Sequence, residues 1–205
     1  AFNQIINLSR IENSDSITFD TAEKALRNIV NQNQNDLITP DYILDAVCEE
    51  LGTNGFTEAC EAVKGCDYVL MAVKPIHFDN ALKTVASNLK DSAIVLSIAA
   101  AVTTERIASI VREGRKFVRI MPNTPAQVGA GVSAVCPVGL NDDETNFVVS
   151  LLKTCGEVIV CDEKTLDAIG CVSGTGPAYV MLFIEAMADA AVSLGIKRDD
   201  ALKIA

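Results

Sequence analysis

The sequence predicts an α/β protein: a doubly wound, mainly parallel sheet followed by the start of an all-α domain. Three observations carry this. Several short runs are wholly apolar, as strands covered on both faces are. Between them lie stretches with helical apolar spacing, as parallel crossovers require. After about residue 162 the alternation stops and one long helix, apolar on every side, takes over.

Taken in order, "YVLMAV" (68–73) reads as a strand broken by Lys74-Pro75, because proline fixes φ and removes a donor. "ALKTVASNL" (81–89) puts Ala81, Leu82, Val85, Ala86 and Leu89 on one helical stripe. "AIVLSIAA" (93–100) is the next strand, after which Thr103 or Thr104 can cap a short helix carrying Ile107, Ile110 and Val111. "KFVRIM" (116–121) and "VSAVCPV" (132–138) are the third and fourth strands. Asn141 with Glu144 makes a capping box for a helix through Lys153, closed by Gly156, and "EVIV" (157–160) is the fifth strand. Residues 67–160 are therefore expected in one mainly parallel sheet with helices on both faces. Residues 1–162 form the first domain, with 1–42 atypical, and 163–205 begin a helical one. There "AYVMLFIEAMADAAVSLG" runs as a single helix to Gly195, and its apolar sides need cover from a partner subunit or from further chain.

The chain has 205 residues, 49% hydrophobic and 21% charged, with a net charge of −10. This is an ordinary globular composition, and the acidity argues against nucleic acid or an anionic membrane as partner. No run reads as a membrane span, and residues 1–20 lack a signal-peptide pattern. Seven cysteines stand singly without CxxC, and His77 is the only histidine, so no metal site is expected and reduced thiols in a cytoplasmic protein fit best. His77 reads as a surface or cap residue. Cys136, Cys161 and Cys171 read as small core residues, and Met181 and Met187 as core or interface packing. "NDDE" (141–144) is a helix start whose charge suits the dipole.

"MPNTPA" (121–126) frames Asn123 and Thr124 between Pro122 and Pro125, directly after "FVRI". The residue before each proline is pushed out of the α region, so Met121 and Thr124 are expected to be extended and the turn stiff. A stiff, polar turn at a strand end suits ligand positioning.

"LMAVKP", "LSIAA", "RIMPNTPA" and "SGTGPAYVMLFIEAMADAAVSLG", in this order and spacing, resemble the pyrroline-5-carboxylate reductase family. The resemblance runs from about Leu44 to Ala205 and faintly back to Ala22. It implies a Rossmann-like domain followed by an interlocking helical dimerisation domain, hence a homodimer or higher homo-oligomer. It also implies an oxidoreductase acting on a CH–NH bond. The small-molecule substrate is Δ1-pyrroline-5-carboxylate, reduced to L-proline with NADPH or NADH in proline biosynthesis.

Carried over by position, Ala72, Val73, Lys74 and Pro75 lie along the cofactor. Lys74 meets a phosphate or ribose, or is simply a solvated lysine at a strand end. Ile98, Ala99 and Ala100 let the nicotinamide half approach backbone, or pack as plain strand. At the position of Ala101 the family usually carries glycine. Met121, Pro122, Asn123 and Thr124 face nicotinamide and substrate. Asn123 offers its amide to the cofactor or substrate, or braces its own loop. Ser173, Gly174, Thr175 and Gly176, with Pro177 at the first turn of the long helix, form a domain junction. Its free amides hold the substrate carboxylate or cap the helix. No residue is assigned as catalytic acid or base, because hydride transfer to a readily protonated imine asks chiefly for positioning.

Some features depart from the family. The first glycine is Gly52, whereas a dinucleotide fold opens with a strand and G-x-G-x-x-G to admit the pyrophosphate. "SITFDTAEKALRNIV" occupies that place, with Asp20 and Glu23 as a capping box of the wrong charge. The next strand, which usually decides NADPH against NADH, reads as deleted. The family's glycine- and threonine-rich substrate loop lies beyond Ala205. The chain as it stands is therefore expected to bind a dinucleotide weakly and not to turn over. Two function classes follow: a partial or altered copy of a reductase, active only when complete, or a degenerate non-catalytic relative acting as an interaction module.

Overall fold

The computed structural model describes residues 4–7, 48 and 54–205; the expectations for "SITFDTAEKALRNIV", Asp20 and Glu23 lie outside the described residues. Among the described residues six strands form one sheet in chain order. They are β1 (Gln4–Asn7), β2 (Tyr68–Ala72), β3 (Ile94–Ser97), β4 (Phe117–Met121), β5 (Gly131–Val138) and β6 (Gly156–Val160). The helices between them are α1 (Ala59–Ala62), α2 (Pro75–Ala86), α3 (Thr104–Ala108) and α4 (Asp142–Lys153). After the sheet come α5 (Glu163–Ile169), α6 (Gly176–Ser193) and α7 (Arg198–Ile204).

Connection length decides strand direction. β2, β3 and β4 are linked through α2 and α3 and run parallel, as β5 and β6 do across α4. Between β4 and β5 only a 3-10 turn over Thr124–Val128 intervenes, too short for a crossover, and the two strands pair antiparallel. This is the exception to the expected βαβ alternation. It also corrects the expectation for Thr124, which opens the 3-10 turn and is not extended. Two glycines make the return possible. A Cβ on Gly131 would lie 2.7 Å from Ala126, and one on Gly156 would lie 2.0 Å from the Gly131 carbonyl oxygen.

Both faces of the sheet are packed. On one, Val69, Met71, Val95 and Phe117 meet Phe78, Leu82 and Val85 of α2 and Ile107 of α3. On the other, Leu96, Val118, Ile120 and Val135 meet Val148 of α4, and the Tyr68 ring stacks on Phe147 at 4.5 Å. Each fully buried Leu, Val or Phe is worth roughly 1.5–3 kcal/mol. Helix boundaries follow the capping chemistry. α2 begins at Pro75, ahead of the 81–89 stripe, because proline fits the first helical position, where its missing N–H costs nothing. Thr103, not Thr104, caps α3, and the complete Asn141–Glu144 capping box starts α4. At β6 the cover thins, and Ile159 and Val160 stay exposed.

The helical region differs most from expectation. α5 continues through a π turn at Gly170–Gly174 into α6, so Glu163–Ser193 is one helical run. By length and composition alone it could cross a membrane, which corrects the expectation that no run could. Along α6 only Ala188 is buried, while Tyr179, Val180, Met181, Leu182 and Phe183 are 58–68% exposed. Met181 and Met187 are thus surface residues available to an interface, not core, and Cys171 is exposed, not packed. α7 folds back where Ala188 and Ala201 are both fully buried, and Arg198 pairs with Glu185 and Asp189.

Candidate functional site

Because β2, β3 and β4 are parallel, their carboxyl ends share one edge, where ligands of such sheets bind. Three of the expected segments come together there. At the end of β2, Ala72 and Val73 lead to Lys74, whose carbonyl accepts from His77 N at 2.9 Å as α2 starts. The Lys74 ammonium is exposed and has no ion-pair partner among the described residues, leaving it available to an anion. At the end of β3, Ile98 is half-buried, Ala99 is buried and Ala100 is exposed, and the two alanines leave the backbone approachable. Ala101 follows at φ +59°, the only positive φ among the described non-glycine residues. Such a left-handed L-residue costs about 1–2 kcal/mol. That backbone is a physical reason for glycine to be preferred here.

At the end of β4 the turn and the domain junction are one structure. Pro177 has no N–H, so the carbonyl of Ser173, four residues earlier, lacks its helical donor. Asn123 supplies one: its Nδ2 donates to Ser173 O at 3.1 Å, while its Oδ1 accepts from Val132 N at 2.8 Å. The amide thus ties β4, β5 and the π turn together, and it braces two distant segments rather than only its own loop. Met121 packs into the same turn: a Cβ on Gly170 would lie 3.3 Å from its Cγ, and one on Gly174 would lie 3.1 Å from its Cε. π turns widen the helix and recur at functional sites.

The free helix start expected at Ser173–Gly176 does not form. Thr175 has helical φ and ψ, its Oγ1 donates to Cys171 O at 2.6 Å, and Ser173 Oγ donates to Ile169 O at 3.0 Å. These groups are spent inside a continuous helix, so it offers no ring of free amides.

Sequence reasoning passed over the most buried charge near the site. Arg119, 4% exposed, donates from one guanidinium nitrogen to Glu163 Oε1 at 2.6 Å and from the other to Asp167 Oδ1 at 2.7 Å. Glu163 also accepts from Thr104 N and Thr104 Oγ1, each at 2.7 Å. Burial pushes the Glu163 carboxyl up, but the bonds from Thr104 and Arg119 outweigh this and hold it below its ordinary value. A signal was available: arginine inside "FVRI" cannot be buried unpaired, and Glu163 and Asp167 lie one helical turn apart. Burial raises the Cys136 and Cys161 thiols, which suits inert packing. No cluster of metal-ligating side chains occurs among the described residues.

Two family models match the chain: "NADP oxidoreductase coenzyme F420-dependent" over residues 18–101 and "Pyrroline-5-carboxylate reductase dimerisation" over 163–205. Pyrroline-5-carboxylate reductase of Escherichia coli (strain K12) is 39% identical over 168 residues, 82% of this chain and 62% of that protein. That of Arabidopsis thaliana is 37% identical over 160 residues, 78% of this chain and 58% of the relative. The chain therefore spans less than two thirds of the length of these relatives. Among solved structures, Plasmodium falciparum pyrroline carboxylate reductase with NADP bound superposes with a TM-score of 0.70 at 31% identity, covering 74% of this chain and 58% of that one. The Coxiella burnetii pyrroline-5-carboxylate reductase gives 0.71 at 28%, covering 90% and 72%.

Proposed function

We propose that this chain belongs to the pyrroline-5-carboxylate reductase family and, within its complete protein, reduces 1-pyrroline-5-carboxylate to L-proline with NADPH or NADH. The supporting observation is the Asn123–Ser173 bond, which joins the two segments carrying the family resemblance into one wall at the sheet edge. A nicotinamide dinucleotide would supply the hydride. The free Lys74 ammonium and the small residues Ala99 and Ala100 fit such a ligand. In this reading Ala72, Val73, Lys74 and Pro75 lie along its phosphate and ribose side, and Ile98, Ala99 and Ala100 face the nicotinamide half. Asn123, with two of its bonds already used, keeps one N–H and one lone pair for the cofactor. Met121, Pro122 and Thr124 with Ser173, Gly174, Thr175 and Gly176 bound the substrate. The chain's contribution is orientation and exclusion of water, with no side chain acting as acid or base.

The domain boundary falls at 162–163, and α6 pairs with a second copy into a homodimer or larger homo-oligomer. The dimerisation match over 163–205 and the bare face of α6 both support this. A cytoplasmic location fits the unbridged thiols of Cys136, Cys155, Cys161 and Cys171. A second reading, a non-catalytic relative serving as an interaction module, is favoured by the lack of any glycine before Gly52. Losing two or three amide contacts to a pyrophosphate weakens binding by roughly 3–6 kcal/mol, so saturating dinucleotide is needed to separate the readings.

The test is calorimetric titration of the 205-residue chain with NADPH and NADH, then NADPH oxidation with and without pyrroline-5-carboxylate, then size-exclusion chromatography. Oxidation that requires the imine establishes the reductase. A stable dimer that binds neither dinucleotide supports the module, and a soluble monomer that binds neither overturns both.

A further inference from the structure

We propose that Arg119 is a positioning residue that sets the register between the dinucleotide-binding sheet and the helical domain. Arg119, Met121 and Asn123 are alternate residues on extended backbone, so their side chains face the same way. Each meets the 163–174 segment. Arg119 holds Glu163 and Asp167, Met121 lies against Gly170 and Gly174, and Asn123 binds the carbonyl of Ser173. Strand end and helix therefore run alongside each other, pinned at three successive points.

The first pin differs in kind from the others. A single contact would let α5 roll about its axis. A planar guanidinium gripping carboxylates at i and i+4 fixes the roll as well as the distance. Glu163 extends the grip to a third element, because its two oxygens also take the amide and hydroxyl of Thr104 at the start of α3. α3 follows directly on the Ile98–Ala101 segment. One buried cation thus sets the spacing of all three walls of the site: the β3 end, the β4 end and the π turn. Arg119 itself lies two residues back from Met121, inside the sheet, and acts only through these neighbours.

The kinetic arm of this inference rests on the reductase reading; the structural arm does not. The variant is Arg119→Lys, which keeps the charge but offers one point instead of a fork and so cannot span both carboxylates. Hydrogen exchange is followed by mass spectrometry on the full chain. Amides 170–178 of the variant should exchange about tenfold faster or more, while those of α4 do not change. In turnover, KM for pyrroline-5-carboxylate should rise roughly fivefold while kcat and KM for NADPH stay within about twofold, because only the mutual placement of the walls has changed. Arg119→Met serves as the contrast, losing thermal stability that the lysine variant restores. Should the lysine variant fail to fold, Asp167→Asn, at the more exposed arm, is read the same way with smaller amplitude. Wild-type exchange at 170–178 in a folded variant overturns the proposal, and so does lysine restoring KM together with stability. Absence of both dinucleotide binding and turnover in the wild type counts against the reductase reading alone, and the exchange result still decides the role of Arg119.

Discussion

Replacing Ala101 by glycine should stabilise the protein, against the usual expectation for such a change. Ala101 is exposed, so its methyl group contributes little packing. Its backbone sits at φ +59°, where an L-residue is about 1–2 kcal/mol worse than in a right-handed conformation. Glycine removes that cost but adds roughly 0.5–1 kcal/mol of unfolded-state entropy. The difference is about 0.5–1 kcal/mol in favour of Ala101→Gly. For a chain of this size it raises the melting temperature by roughly 1–4 °C. Paired calorimetric or circular-dichroism melts at one protein concentration measure this directly, and urea titration should show a higher midpoint with an unchanged slope. Ala101→Val is the control: a β-branched residue is worse than alanine at positive φ, and the midpoint should fall. A lower melting temperature for Ala101→Gly would show that the backbone there is not left-handed and that the strain argument is wrong. The site gives the test further meaning, because the same residue follows the Ala99-Ala100 segment proposed to face the nicotinamide. Dinucleotide affinity should be unchanged or improved when the methyl group is removed.

Two other outcomes follow from the geometry. Gly156→Ala should lose roughly 3 kcal/mol or more in urea unfolding, because the new Cβ would lie 2.0 Å from the Gly131 carbonyl at a φ of +137°; a variant within 1 kcal/mol of wild type, on the order of measurement scatter, would refute the crowding at the β5–β6 start. Glu163→Gln should flatten the acid limb of stability against pH. The wild-type carboxyl is depressed, so its contribution is present above the unfolded value of about 4.3 and disappears as pH falls through the lower folded value. Melts between about pH 2.5 and 7 with identical acid slopes in both proteins would remove Glu163 from that role, leaving Glu144 and Asp162, also depressed, to account for the limb.

Much of the fold was legible because its signals are local. The apolar runs at 68–73, 93–100 and 116–121 fell within a few residues of β2, β3 and β4, and the Asn141–Glu144 box started α4 where its spacing said it would. The bare α6 was visible too, as a helix with no polar side. Less of the candidate site could be read. Its segments were found from their resemblance to a family, but the wiring between them was not. Asn123 was recognised as a residue with a donor and an acceptor to spend, yet its partners lie 9 and 50 residues away. Arg119 was passed over inside an apolar strand because the carboxylates that make it tolerable lie 44 and 48 residues on.

What the sequence determined by itself is the set of elements and their ends: strand and helix periodicity, caps, prolines and glycines act over four residues or fewer, and the chain carries those instructions directly. The direction of β5, the merging of α5 and α6 through a π turn, and the meeting of Asn123 with the carbonyl left open by Pro177 were decided only in the tertiary structure. Each depends on a group finding its partner across the chain, and that choice is made by packing the sheet against its helices, where a buried donor, acceptor or charge must be satisfied by whatever the fold brings within reach.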